Sequence, residues 1–331
     1  IMALKSVTIK LYIYSGTEGV YTDSDLKYTI SKDRISTNSN ITIEIANLVR
    51  DYLDTTFNDD YLGFTKWVTV SQTLYNSETG LEYSQGASPV VNSYLALDGY
   101  GYFEDEINPQ LSTNALYSSN NMYLPEGVAG KFPIFSEGVG KVIIDSVTTE
   151  ITDSTNSNQK IQYLTIPANS NSIEIYDIDD ATLLKTVTVN NVCEPKYTPY
   201  KVTFINKLGA LQDLYFFKKS TETFSVTDEK YKRNNIVAST ISYNTYSGQQ
   251  QRQNVNGTTS LSLNTGYVKE DFNSAIEELF LSENAWIRFE GKTLPIIAKT
   301  KSYTEKTVLN DRLINHTIDF DFAFNKINNV R

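Results

Sequence analysis

The stretch Val7-Thr8-Ile9-Lys10-Leu11-Tyr12-Ile13-Tyr14 puts Val7, Ile9, Leu11 and Ile13 on one face and Thr8, Lys10, Tyr12 and Tyr14 on the other. A period of two is that of a strand with one buried face. The same period returns near the end of the chain, where Ile318, Phe320, Phe322 and Phe324 alternate with Thr317, Asp319, Asp321 and Ala323. A slip of one residue there would bury both aspartates, so the register of this strand is well specified.

Working outward from these ends, further strands are expected around residues 65–75, 90–97, 140–148, 160–166, 172–176, 183–189, 200–206, 212–218 and 222–227. Others follow near 236–246, 258–264, 285–290 and 295–303. Enrichment in Tyr, Thr, Val and Ile supports these readings, because branched and aromatic side chains fit a pleated, half-buried surface; Tyr alone occurs 23 times.

Two stretches have helical spacing. Ile41, Ile45, Leu48, Val49 and Tyr52 follow Asn40 as a candidate cap, which predicts a helix over about 41–53. Phe272, Ile276, Leu279 and Phe280 follow Lys269, Glu270 and Asp271, which predicts one over about 270–282. The strand-helix-strand alternation that parallel crossovers require is missing. The expected fold is therefore mainly β, with two or three β-sandwich-like domains and two short amphipathic helices.

Glycines and prolines crowd Leu124 to Gly140, and Glu194-Pro195-Lys196-Tyr197-Thr198-Pro199 is a second break. These suggest an N-terminal domain over 1–130, a small middle domain over 131–195 and a C-terminal domain over 196–331. The polar tracts 153–160 and 247–257 read as exposed hairpin loops.

The formal net charge is −10, from 29 basic and 39 acidic residues, which argues against nonspecific binding to nucleic acid or anionic membranes. The charge is uneven: −9 over residues 1–130, −4 over 131–200 and +3 over 201–331. An acidic front and a mildly basic back would favour head-to-tail contact. No apolar run approaches the roughly 18 residues that cross a bilayer, so no membrane span is expected. The first residues do not read as a signal peptide.

Sites of chemistry are sparse. His316 is the one histidine and Cys193 the one cysteine, so every histidine-dependent triad would have to pass through His316. Each is expected to be structural. Gly138, Gly140 and Lys141 lack the spacing of a phosphate loop, because Phe135 and Val142 occupy its glycine and hydroxyl positions. Asp177, Asp179 and Asp180 lack the glycine and glutamate of a calcium loop. Glu104, Asp105 and Glu106 are sequence neighbours, a poor arrangement for a paired-carboxylate hydrolase. No catalytic residue, metal site or cofactor is expected. Within Asp98-Gly99-Tyr100-Gly101-Tyr102-Phe103, glycines can expose the faces of Tyr100, Tyr102 and Phe103 for contact with sugar or protein.

The run Glu194-Pro-Lys-Tyr-Thr-Pro-Tyr-Lys-Val-Thr-Phe-Ile-Asn-Lys-Leu-Gly-Ala-Leu-Gln-Asp-Leu-Tyr-Phe-Phe217 resembles segments of virion proteins of tailed bacteriophages. So do Leu263-Asn-Thr-Gly-Tyr267, Ser282-Glu-Asn-Ala-Trp-Ile287, Asn310-Asp-Arg-Leu-Ile-Asn315 and Asp319-Phe-Asp-Phe322. The resemblance is confined to about residues 194–331. It implies a tail, tail-hub or baseplate protein without a cofactor, assembled in the host cytoplasm into a virion. Its partners would be further copies of itself in a ring and neighbouring virion proteins. Tyr215 and Phe217 are then expected to lie on an interaction surface, with the bulky groups of 215–217 divided between the domain core and a neighbour. The alternative is an adhesin on a cell or virion surface, binding glycans through the Tyr100–Phe103 loop.

Overall fold

The computed structural model describes residues 4–36, 40–53, 55–76, 89–106, 114–153, 156–237, 242–243, 245–302 and 314–327. The fold is mainly β, with two short α-helices among the described residues, and is consistent with multiple β-sandwich-like domains.

The first sheet contains β1 (Leu4–Tyr14), β2 (Leu26–Asp33), β3 (Thr65–Asn76) and β4 (Val90–Leu97), in the order β2-β1-β3-β4, all antiparallel. The alternation read from the sequence determines which face is covered: Val7, Ile9, Leu11 and Ile13 are buried together with Val68 and Val70. Helix α1 (Ala46–Arg50) lies over them through Val49 and Leu48. This helix is shorter than the expected 41–53, and it begins at Ile45 without a side-chain cap, so Asn40 does not cap it. Ile41, Thr42, Ile43 and Ile45 are β-branched, which disfavours a helix. Ile41, Ile43 and Ile45 pack on the core from non-helical backbone.

The second group contains β5 (Asn121–Pro125), β6 (Gly130–Phe135), β7 (Val139–Ile144), β8 (Val147–Glu150), β9 (Ile161–Ile166), β10 (Ser172–Asp177) and β11 (Leu183–Val192). Five of these form a sheet in the order β5-β11-β10-β7-β8, with β5 parallel to β11; β6 and β9 pair separately. The single strand expected over 140–148 is a hairpin that turns at Asp145, whose φ is 54°. A domain boundary at 130 would separate β5 from the sheet it completes, and Tyr117, Met122 and Leu124 from their core. The crowded glycines and prolines of 124–140 mark turns between strands of one unit. Pro133 is tolerated because, among the described residues, β6 makes across its other edge only a bridge to Ala115, in which the Pro133 carbonyl accepts from Leu116 N at 3.1 Å. The break at 195 falls between sheets.

The third group contains β12 (Tyr200–Ile205), β13 (Leu211–Phe216), β14 (Thr221–Lys232), β15 (Ile236–Val237), β16 (Ser242–Tyr243), β17 (Gln250–Asn264), β18 (Ala285–Phe289), β19 (Lys292–Ala298) and β20 (Thr317–Phe322). Seven form an antiparallel sheet in the order β13-β12-β18-β19-β20-β17-β14. A 3-10 turn (Glu270–Phe272) leads into α2 (Asn273–Leu281), as the spacing predicts, and buries Phe272, Ala275, Ile276 and Leu279. In β20, Ile318, Phe320 and Phe322 point inward, whereas Phe324 lies beyond the strand and is exposed. One continuous core joins this sheet to the second group, and β13 packs on β5 and β6.

The polar tract 153–160 was expected to be an exposed loop, and its second half is instead a stitch between units. Thr17 and Ser157 form a β-bridge, Gly16 O accepts from Asn158 N at 3.0 Å, and Asn158 Nδ2 donates to Thr65 O at 2.8 Å. Lys160 is buried against Asp153, with Nζ 2.7 Å from Oδ1. Residues 154–155 lie outside the described residues. In the tract 247–257, residues 250–257 are part of strand β17 and not of a loop, although 250–254 are exposed as expected. Of the strand expected over 236–246, β15 and β16 are the described parts; 238–241 and 244 lie outside the described residues, as does 303 of the strand expected over 295–303.

Candidate interaction surfaces

Tyr215 and Phe217 do not lie on a surface. Tyr215, Phe216 and Phe217 are all buried within the single chain, and every residue of β13 is buried. The cause is the cover supplied by β5 and β6 on one face and the sheet's own core on the other, where Phe216 meets Phe320 edge-on. The expectation that this strand offers a face to a neighbour is therefore withdrawn.

The polar groups around β13 form a closed joint. Asp213 accepts from the Tyr61 hydroxyl at 2.6 Å and from the Thr203 hydroxyl at 2.6 Å. Lys201 Nζ donates to Tyr61 Oη at 2.8 Å and to Asp59 at 2.7 Å. Phe57 packs nearby with Ile205 and Leu211, and Trp286 and Tyr163 flank the cluster. Burial pushes the Asp213 carboxyl above the usual range, partly opposed by Lys201 and the two hydroxyls. The joint ties residues 57–61 to the third sheet.

His316 is buried in a similar way, with Nε2 3.0 Å from Asn273 Oδ1. Cys193 is exposed just beyond β11. Among the described residues, no group of three His, Cys, Asp or Glu side chains could hold a metal ion, and no helix is long and apolar enough to cross a membrane.

The Tyr100–Phe103 loop divides its aromatics. Tyr100 N donates to Lys207 O at 2.9 Å, and a Cβ on Gly99 would lie 2.7 Å from the same oxygen, so the loop approaches the third sheet at a distance only glycine allows. Tyr100 and Tyr102 meet at 6.1 Å, and Lys207 Nζ sits 4.8 Å from the centre of the Tyr102 ring. These two tyrosines anchor the loop. Phe103 begins a 3-10 turn (Phe103–Asp105) and is fully exposed.

Glu104, Asp105 and Glu106, which follow Phe103, are exposed; from α2 the exposed Glu277 and the buried Glu278 act on Tyr102. Burial first, then the charges of Glu277, Glu278, Asp105 and Glu104, push the Tyr102 phenol above its ordinary range. Beside the loop, a groove of about 630 Å³ lies between α1, β4 and the turn at 207–208, with Val49, Leu53, Asp98 and Tyr100 among its lining. Arg50 on its wall pairs with Asp98 at 3.4 Å and with Glu283 at 3.1 Å.

The second surface is a ribbon whose inner half matches the strands expected at 222–227 and 258–264, and whose outer half, at 228–232 and 250–257, sequence reading missed. Among the described residues β14 is the edge of the seven-stranded sheet, with β17 as its one partner. Strand β20 pairs with β17 only over Ser260–Asn264, so from Phe224 to Lys232 the two strands continue as a ribbon of roughly 30 Å. Near its base it is held by Lys326 N, which donates to Gly257 O at 2.7 Å. Phe224 lies across Gly257, where an added Cβ would meet the ring at 2.5 Å. Phe224 is 57% exposed and Val226 46%, on the same face of an otherwise polar strand.

At the far end, β15 pairs with β16, and Asn235 Nδ2 donates to Ser247 O at 2.6 Å. A cleft there of about 850 Å³ is lined by Lys232, Arg233, Asn235, Tyr243 and Gln249, among others. Tyr243 and Tyr246 are exposed, at 73% and 87%. Residues 230–252 carry four basic and no acidic side chains. The signal that could have revealed the ribbon was the strand propensity of 221–232, where Phe and Val share a face with Glu222 and Asp228; such mixed faces mark a strand without a core of its own.

Comparison with protein-family models, with curated proteins and with solved structures found no match to this chain.

Proposed function

We propose that the chain is a non-enzymatic structural component of a tailed-phage virion, of the tail, tail-hub or baseplate class, which assembles into a ring through protein-protein contacts. The observation that carries this reading is the β14–β17 ribbon. A long exposed edge with no partner strand among the described residues, and with Phe224 and Val226 uncovered beside it, is a template for another chain. The polar clusters support it as well, because Asp213, Lys160 and His316 are all committed to internal bonds. The resemblance of residues 194–331 to tailed-phage virion proteins supplies the biological setting.

The test is the mass of the purified chain by light scattering across a concentration series, with particles examined by electron microscopy. A closed oligomer is expected, and Phe224→Asp with Val226→Asp should reduce it to monomer. A wild-type chain that stays monomeric throughout, and that does not join a ring with neighbouring virion proteins, would overturn the reading. The adhesin reading is favoured by one observation, the fully exposed Phe103 beside the groove. Sugar binding lost in Phe103→Ala, by a protein that remains monomeric, would favour it over assembly.

A further inference from the structure

The ribbon tip and the Tyr100–Phe103 surface are complementary in charge and in kind. The tip presents Lys230, Lys232 and Arg233, all exposed, together with the exposed rings of Tyr243 and Tyr246. Arg252, the remaining cation of 230–252, is already paired with Asp228 at 2.9 Å. The loop presents Glu104, Asp105 and Glu106, with the fully exposed Phe103 at their head and Glu277 of α2 alongside. Between α1 and β4 beside it lies the groove of about 630 Å³, with apolar walls from Val49 and Leu53 that suit the tip's rings; its lining cations are Arg50, already paired with Asp98 and Glu283, and Lys207, which lies over the Tyr102 ring. The two surfaces are on different units, one near the end of a projecting ribbon and the other on the acidic N-terminal part of the chain.

We infer that the occupant of this groove is the ribbon tip of a second copy of the chain, giving a head-to-tail contact in which Lys230, Lys232 and Arg233 face Glu104, Asp105 and Glu106. The inference rests on the assembly reading and adds a second contact to the one made along the ribbon edge at Phe224 and Val226. Because the two patches differ, the contact is heterologous, and repetition around a closed rotation generates a ring. Charge sets the orientation, since tip against tip would bring six cations together and loop against loop would bring the acidic clusters together. The exposed aromatic rings and the groove walls supply the apolar area that charge alone does not. Alternative occupants of the basic tip are an anionic polymer, such as nucleic acid or an acidic glycan.

The experiment is a charge swap read by light scattering. Lys230→Glu, Lys232→Glu and Arg233→Glu in one variant, and Glu104→Lys, Asp105→Lys and Glu106→Lys in another, should each weaken self-association by on the order of tenfold or more. The combination of both sets in one chain should restore it. Added salt should weaken the wild-type contact. In a Cys193→Ser background, Tyr246→Cys with Phe103→Cys should give a disulfide ladder of dimers, trimers and higher species under mild oxidation. All these positions are exposed, so circular dichroism spectra and melting temperatures should remain near wild type.

If assembly persists unchanged in both charge variants, this contact is wrong while the assembly reading stands. If Tyr246→Cys alone gives a dimer as readily as the pair gives a ladder, the contact is tip to tip and the inference fails. If the chain stays monomeric without a ladder, both fail. Binding of a heparin column that the tip variant alone loses, without self-association, would assign the tip to an anionic polymer and overturn the inference.

Discussion

Asp213 shows how much can depend on one side chain. Its folded-state affinity for a proton is raised by burial, so its contribution to stability is fully present below the ordinary carboxylate value of about 3.9 and is lost as pH rises through the raised value. Asp213→Asn removes that loss. The melting temperature of the variant, taken relative to wild type, should therefore rise as pH increases from about 4; a flat or falling difference would refute the assignment. The Tyr61 hydroxyl is the second half of the joint. Tyr61→Phe leaves an oxygen of Asp213 without its 2.6 Å donor, and the expected cost is about 1–3 kcal/mol in a denaturant titration. A loss well below that range would mean that water replaces the hydroxyl. Neither partner was legible beforehand, because Tyr61 and Asp213 are 152 positions apart and no local pattern links them. The Tyr100–Phe103 loop was legible as a feature, since glycines among aromatics are a local signal. Which ring would project was not, because Lys207 decides it from another part of the chain.

At the scale of elements, strands with one buried face were readable and strands with none were not. Ile318, Phe320 and Phe322 announce β20 because the core selects every second residue. Along residues 250–257 no such selection acts, so a polar strand looks like a polar loop, and only pairing with β14 makes it a strand. The ribbon yields a prediction at this scale. Phe224→Asp and Val226→Asp replace exposed side chains, and each should change unfolding stability by no more than about 0.5 kcal/mol. The contrast between unchanged stability and lost oligomer is the informative result. A variant that unfolds instead would show that Phe224 works mainly as the cover of Gly257. Helix α1 failed in the other direction: apolar residues at helical spacing were present at 41–52, but the β-branched run 41–45 followed its backbone preference.

For the whole molecule, the shared core is the main finding. Buried residues drawn from both groups, Ala115 and Phe322 among them, share one hydrophobic cluster, so the second and third groups of strands pack on a common core. A chain beginning at residue 131 lacks β5 and the aromatic cover of Tyr117 and Tyr123. It should melt at lower temperature and less cooperatively than one beginning at residue 114, as measured by calorimetry. Equal melting of the two would mean that β5 is dispensable to the sheet. The stitch between Gly16–Glu18 and Asn156–Asn158 extends the same continuity to the first sheet.

The sequence by itself determined the mainly β class, the buried faces of β1 and β20 and the extent of the second helix, because burial of one face writes a period into neighbouring residues. The tertiary structure alone decided that β13 is covered on both sides, that β5 joins the second sheet in parallel, that Lys160 and Asp213 are buried with partners, and that β14 and β17 run out as an uncovered ribbon. Those outcomes depend on which distant segments meet, and a contact between residues far apart leaves no period in the chain that forms it.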